Sequence, residues 1–513
     1  MKRQWSKQTK RGISGYTKAI VYIGIVTMLG NIVMVPVAEA KEHTQVVGIQ
    51  ENENQTVVGE NYLVIEENQT DASETTPGTG ENQTDASETT PGTGENQTDA
   101  NETTPETGEN QTDANETTPE SGEDQNNPDV KEPVYKNVKE TVYVTKNCTV
   151  YEEPDTNSNK LGTAIPYKKY TRIGLGEEGF DQITFEGETG YIKSTELTTK
   201  KPSIPTDVVS TTDKLYDYSN MKADLKLLSR YYPDILSVTT IGTTSDKRNL
   251  YCAILGNPNA EKHILIQGSI HAREYINTQL LMAQLEYFLV HYEKGSYEGT
   301  TYKELFDEVA IHIIPMANPD GVIISQYGLK KIRDKKLVIA LQGMQKSSNY
   351  TRWKANAKGV DLNKNFSFGW TKKTGVKKPG SMNYPGTKAL SQKESKAMVA
   401  YTESISGLKT VLSYHCMGNI IYWNYGQKGT LMKKCKELVN LVKKLTGYSL
   451  VTQSYKTISY GGFSDWAVRD LGVPAITIET GMISAPVSHS QYKTIWKQTK
   501  DIIPAVAAQV LGK

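Results

Sequence analysis

From about Thr211 onward the chain alternates amphipathic stretches with short runs that are apolar on both faces. The runs 264–267, 309–314, 410–414 and 475–478 lack the period-two alternation of a sheet with one wet face. They predict buried strands of a mainly parallel sheet. Residues 276–292 and 433–445 carry apolar positions at helical spacing and predict covering helices. A different pattern precedes them. Short alternating runs at 141–144, 149–151, 170–173, 180–185 and 190–192 are punctuated by Pro154, Asn157, Gly162, Gly176, Gly179 and Gly187. Runs of that length and spacing predict a small all-β barrel, closed or half-closed, over 134–200. The expected fold class is therefore α/β: a large domain over 211–513 whose mixed, mainly parallel sheet is covered by helices on both faces, plus the small barrel. Residues 201–210, with Pro202 and Pro205, read as a linker.

Residues 41–133 have no stripe to bury. Four copies of a fourteen-residue unit fill 67–122, each opening Glu-Asn-Gln-Thr-Asp-Ala, and none offers an apolar face to its neighbour. The stretch is acidic and rich in Thr, Gly and Pro, so ordering it would cost entropy with little return, and a disordered stalk is expected. Charge sharpens this division. The 513 residues hold 58 Lys and Arg against 58 Asp and Glu, yet no Lys or Arg occurs between Glu42 and Val130. The remainder is net basic, a surface suited to an anionic polymer outside the cell. No nucleic-acid motif is visible, and no nucleic-acid partner is expected.

Residues 1–40 read as an export signal. Lys2, Arg3, Lys7, Lys10, Arg11 and Lys18 lead an apolar run over 19–37, and Ala38-Glu39-Ala40 offers a small-x-small cleavage site. An uncleaved anchor is the competing reading. After cleavage no membrane span is expected, and the protein is expected to be secreted or wall-associated. Cys148, Cys252, Cys416 and Cys435 form neither a CxxC pair nor a disulfide framework; one bridge among the last three stays open.

The chemistry gathers at strand ends. His271 and Glu274 follow the strand at 264–267, His415 closes the one at 410–414, and Glu479 closes the one at 475–478. Open α/β sheets bind ligands beyond the carboxyl ends of their strands, so these residues are expected at one edge. Two imidazoles and a carboxylate form a zinc set that leaves a position for water. A second carboxylate can take that water's proton and pass it to a leaving amine. Taken singly, each is ordinary: an exposed turn, a satisfied strand-end histidine, a salt-bridged glutamate. In a chain with only seven histidines, the combination favours a site.

Further motifs run in the same order. They are His271-Ala-Arg-Glu-Tyr275, Asn318-Pro-Asp-Gly321, Arg352-Trp-Lys-Ala-Asn356, Gly359-Val-Asp-Leu-Asn363 with Asn365-Phe366, Ser413-Tyr-His415, Gly461-Gly-Phe-Ser-Asp-Trp466 and Thr477-Ile-Glu-Thr-Gly481. With them, 216–511 resembles the zinc carboxypeptidase family, and within it the bacterial γ-D-glutamyl-diamino-acid peptidases that cut wall peptides. The resemblance implies one Zn(2+) on His271, Glu274 and His415, with Glu479 as general base and then acid. It implies a cation polarising the scissile carbonyl, which is Lys354 or Arg352 here, and a positioning role for Arg273. Substrate carboxylate would fall to Asn363 and Lys364, where the family has Asn-Arg; Lys keeps the charge but loses the bidentate fork. Tyr455 or Tyr460 would stand for the family's cleft tyrosine, since Thr457 occupies its position, and Ser464 falls at the specificity position. The 134–200 segment resembles bacterial SH3-like domains of wall-degrading enzymes, through its 149–154 opening, a Lys160-Leu-Gly-Thr turn and the Gly187-Glu-Thr-Gly-Tyr-Ile close. That implies binding of wall polymer. The expected function is an exported zinc metallopeptidase acting on wall peptides. A secreted protein-digesting carboxypeptidase and a non-enzymatic wall-binding protein are the alternatives.

Overall fold

The computed structural model describes residues 133–372, 376–451 and 460–513, and the backbone of a two-residue pairing between Val35–Pro36 and Val47–Gly48. Apart from that pairing, the expected leader and acidic stalk lie outside the described residues, as does Tyr455.

The large sheet has eight strands in the order Leu236–Thr243, Asn249–Leu255, Val309–Ile314, Lys262–Gly268, Leu408–His415, Ala475–Glu479, Ile420–Tyr422 and Ser449–Val451. Its centre is parallel from Val309–Ile314 through Ala475–Glu479, and antiparallel pairings lie to either side. All six residues of Val309–Ile314 are buried, which requires cover on both faces, and helices provide it. The mixed, mainly parallel α/β sheet is as expected. Its antiparallel strands Leu236–Thr243 and Asn249–Leu255 were not anticipated; the first mixes Ser237, Thr239, Thr240 and Thr243 with apolar residues and is half-exposed.

The helix Ile276–Val290 starts immediately beyond the metal-site motif and has thirteen buried residues. Burying Leu280, Leu281, Leu285 and Phe288 contributes roughly 1.5–3 kcal/mol each. Gly268 permits this packing, because a Cβ there would lie 2.8 Å from Leu281 Cδ1. The buried Glu286 accepts the backbone N–H groups of Val208 and Val209 at 2.7 and 2.9 Å. That carboxylate pins the end of the 201–210 segment to the helix.

Seven antiparallel strands form a second sheet over 135–198, around Val142, Val144, Val150, Ile183, Phe185 and Ile192. Its first and last strands in the order, Lys160–Ala164 and Leu197–Thr198, do not pair, so it stays half-closed. The expected turn at Lys160-Leu-Gly-Thr is a strand instead. Gly162 is there for packing: a Cβ would meet Phe185 Cε1 at 2.7 Å. Lys169 links this sheet to the larger one, its N–H reaching Asp234 at 3.2 Å and its ammonium pairing with Glu293 at 3.2 Å. Cys148, Cys252, Cys416 and Cys435 are all buried free thiols, so no disulfide forms among them. Among the described residues no helix is long and apolar enough to cross a membrane.

Candidate metal centre

Three adjacent parallel strands deliver the site. Lys262–Gly268 ends at a glycine, and Ser269 then takes a left-handed φ of 54°. For a non-glycine residue that costs of order 1–3 kcal/mol, so the neighbourhood must hold it. Ser269 Oγ does so, donating to the Glu274 carbonyl at 3.1 Å and meeting Thr278 Oγ1 at 2.8 Å. The tight turn brings His271 and Glu274 to one side, with the Glu274 N–H on the His271 carbonyl at 3.1 Å. His415 is the last residue of its strand and lies in register with Glu479, the last of the next.

Buried His271, Glu274 and His415 form a cluster able to hold a metal ion. His271 Nδ1 lies 2.8 Å from Glu274 Oε1 and 3.0 Å from His415 Nδ1, while His415 Nδ1 lies 3.1 Å from Glu274 Oε2. Donor atoms about 2.0–2.1 Å from a tetrahedral zinc are spaced by only a little more than this. The protonation logic agrees. His271 Nε2 faces Asp361 Oδ1 at 3.3 Å, which favours the proton on Nε2 and leaves a lone pair on Nδ1. That lone pair then points at a carboxylate and at a second imidazole nitrogen, an arrangement that a cation between them relieves. Glu274 Oε2, a buried carboxylate oxygen of the set, also receives no hydrogen bond. The residues therefore fit a zinc ion.

The electrostatics follow from burial and neighbours. Burial alone would raise the Glu274 carboxyl, but His271 and His415 hold it well below the usual carboxylate range. Asp361 is likewise buried yet held well below its usual value by Lys354, His271 and Lys364. Glu479 keeps a little surface, and burial pushes it up to about 7, with Glu274 adding to the rise and His415 and Lys354 opposing it.

Loop residues of the quoted motifs serve mainly as staples. Asn318 Nδ2 donates to the carbonyls of Ile270 and Ala355 at 3.1 and 3.2 Å, tying the His271 turn to the Lys354 loop. The Ala272 N–H donates to the Lys354 carbonyl at 3.0 Å. Asp320 accepts from Thr244, the Asp246 N–H and Arg248 in a buried network. Asn356 caps the N–H groups of Lys358 and Val360.

The two candidate cations separate. Lys354 Nζ sits 3.3 Å from Asp361 Oδ2, and its charge reaches both Glu479 and His415. Arg352 is exposed and lines an outer cleft. Arg273 lies beside the site with Nη1 3.5 Å from the Arg352 carbonyl, and its charge also reaches Glu479. Asn363 Oδ1 accepts the Phe463 N–H at 3.0 Å, which leaves its amide NH2 to donate elsewhere. Lys364 is half-buried, and burial lowers its pKa. Tyr460 packs 5.8 Å from Phe368. Ser464 is buried in a hydroxyl cluster, with Ser413 Oγ and Thr477 Oγ1 each 2.9 Å away. Asp361 is the functional residue the sequence reading quoted without a role. Its position two residues before Asn363 gave no hint that it bridges His271 and Lys354.

A sheet edge that presents two histidines and a glutamate around an open position, with a further glutamate alongside, defines a zinc-dependent hydrolase. Residues 221–502 match the profile of the family described as zinc carboxypeptidase, and the chain belongs to that family. It is accordingly a zinc metallopeptidase, of a family that uses one zinc ion. Gamma-D-glutamyl-L-diamino acid endopeptidase 1 of Lysinibacillus sphaericus is 30% identical over 295 residues, 56% of this chain and 72% of that protein. Carboxypeptidase B of Bos taurus is 27% identical over 315 residues, 58% of this chain and 71% of that protein. The crystal structure of thrombin activatable fibrinolysis inhibitor matches with a TM-score of 0.48 at 19% identity, covering 60% of this chain and 81% of that one.

Proposed function

We propose that the protein is an exported metallopeptidase that hydrolyses γ-D-glutamyl-diamino-acid bonds of cell-wall peptides. The observation that carries this reading is the similarity to the Lysinibacillus sphaericus endopeptidase, whose printed name specifies that bond. The leader pattern over 1–40 supports export.

His271, Glu274 and His415 would hold the zinc, which when bound lowers the pKa of water and polarises a carbonyl. Glu479 takes the proton of the attacking water and returns it to the leaving amine. Lys354, held by Asp361, faces the charge that develops on the carbonyl oxygen. Arg273 supports the same region. Asn363 and Lys364 receive a carboxylate on the leaving side, with Tyr460 beside it and Ser464 at its base. A neutral hydroxyl cluster at Ser464 gives no charge complementary to a basic side chain and no greasy floor for an aromatic one. That disfavours digestion of proteins from a basic or aromatic C-terminus.

The test is a comparison of kcat/KM on purified wall peptides and on C-terminal protein substrates. A ratio of at least about 10²-fold in favour of wall peptides is expected; such discrimination needs only about 2.7 kcal/mol of differential binding in the transition state. Release of amino acids from proteins with wall peptides untouched would reverse the assignment.

The 134–200 segment is proposed to bind wall polymer. Its outer face carries half-exposed rings in pairs, Tyr135 with Tyr191 at 5.8 Å and Tyr151 with Phe180 at 6.0 Å, and Tyr151 and Tyr191 are cross-strand partners. Such a strip stacks on sugar rings. Deleting 134–200 is expected to lower sedimentation with intact walls and activity on them by roughly tenfold, while soluble peptides are cut as before. Equal sedimentation of both proteins would remove this role.

A further inference from the structure

Cys416 directly follows His415, and Thr480 directly follows Glu479. Side chains alternate along a strand, and these two, one step beyond the strand ends, turn to the helix Ile276–Val290 and not to the metal centre. Gly268, the register partner of Tyr414, lies against the same helix: a Cβ there would be 3.5 Å from Asn277 Cβ.

Asn277, Cys416 and Thr480 close a ring behind the centre. Asn277 Nδ2 donates to Cys416 Sγ at 3.3 Å, Cys416 Sγ lies 3.3 Å from Thr480 Oγ1, and Thr480 Oγ1 donates to Asn277 Oδ1 at 2.8 Å. With the thiol hydrogen on Thr480 Oγ1, each side chain donates once and accepts once around the ring. All three residues are buried. Their backbones are tied as well. The Thr480 N–H donates to the His415 carbonyl at 2.8 Å, the Gly418 N–H to the Gly481 carbonyl at 2.7 Å, and the Asn277 N–H to the Glu274 carbonyl at 3.1 Å. Each segment that brings a residue to the centre therefore supplies one member of the ring. Asn277 follows Glu274 by three residues, Cys416 follows His415, and Thr480 follows Glu479.

The surroundings are apolar, with Ile276, Leu281 and Ile478 buried nearby in the sequence. Apolar side chains of the same shape would fill such a space at little or no loss of stability. A fully satisfied polar network does something they do not: its bonds have directions, so it fixes one arrangement of the elements it joins.

We propose that this ring positions the centre. Through its hydroxyl, Thr480 fixes Glu479 against His415 and the Glu274 turn, so that the proton acceptor and the zinc ligands keep one spacing. Thr480 lies behind the strand ends and is a positioning residue, not a catalytic one. The inference rests on the zinc peptidase reading of the centre and holds whichever peptide is cut.

Thr480→Val removes the hydroxyl at nearly constant volume, and Thr480→Ser restores it. Both are compared with the unmutated full-length, zinc-loaded protein at a temperature where circular dichroism shows each one folded. The substrate is whichever of a defined wall peptide and a C-terminal protein substrate the unmutated protein cuts. Thr480→Val is expected to lower kcat by about tenfold with KM within about twofold, because a small displacement of a reacting group slows the reaction without weakening binding. Zinc affinity, read by competition with a chelating dye, is expected to fall by about tenfold, as loss of a residue that supports a ligand does. Thr480→Ser is expected to return both quantities to within about twofold of the unmutated protein, since it keeps the donor and acceptor. Where Thr480→Val does not fold, Cys416→Ala opens the same ring and is expected to lower kcat by about threefold, sulfur being the weaker donor and acceptor. A folded Thr480→Val protein with normal kcat and zinc affinity and only a lower melting temperature makes the ring a packing feature and overturns the proposal. A Thr480→Ser protein no better than Thr480→Val, or unchanged constants in Cys416→Ala where Thr480→Val does not fold, overturns it as well. An unmutated protein that binds zinc and cuts neither substrate removes the peptidase reading, and the zinc competition then decides the ring by itself.

Discussion

Glu479→Gln is expected to fold normally, keep its zinc and lose hydrolysis by at least about 10²-fold, the usual contribution of a general base. Glu479 ends the strand Ala475–Glu479, whose other four residues are buried. A carboxylate at that position needs a reason to be there. Its strand partner in register is His415, and its charge is felt by Glu274, His415, Lys354 and Arg273. Glutamine keeps the shape and most of the hydrogen bonding but carries no proton between water and amine. The wild-type pH profile is expected to have an acid limb, because the base must be ionised to begin the reaction. Burial sets this carboxyl near 7 in the metal-free protein, and a dication nearby favours the ionised form and moves the limb to lower pH. Activity therefore rises with pH through that limb. If Glu479 merely balanced Lys354, Glu479→Gln would turn over at a near-normal rate while fully loaded with zinc.

His415→Ala is expected to release the metal. Of the three residues around the centre, His415 comes from a different strand than His271 and Glu274, so its loss opens one whole side. Two donors remain, and zinc affinity should fall by well over the 10–100-fold that loss of a mere supporting residue costs. Metal analysis after dialysis should find about one zinc per chain in the wild type and close to none in the variant. Asp361→Asn is a useful comparison, since it removes only the acceptor facing His271 Nε2 at 3.3 Å. Zinc content that is unchanged in His415→Ala would strike that ligand from the set.

Much of this centre was legible in the sequence because the strands that carry it are buried on both faces. Such strands appear as unbroken apolar runs, and their last residues mark the ligand edge. Val309–Ile314 was read to the residue for that reason. The antiparallel strands left less trace. Leu236–Thr243 is half-exposed and full of threonine, and Ile420–Tyr422 is three residues long. Gly162 was misleading, since glycine marks both turns and close cross-strand packing, and only the neighbour Phe185 separates the two cases. The choice between Lys354 and Arg352 was equally hidden. They lie two apart in a loop, where no periodicity says which side chain faces inward; the Asp361 carboxylate decides it. Asp361 itself sits in a recognisable motif, but its partner His271 is far away in the chain.

The most direct measurement is mass analysis of a defined wall peptide before and after digestion by the zinc-loaded protein. The account predicts two products, one ending in D-glutamate with a free γ-carboxyl and one beginning with the diamino acid. Single residues lost stepwise from the carboxyl end, with the γ-D-glutamyl bond intact, would contradict it.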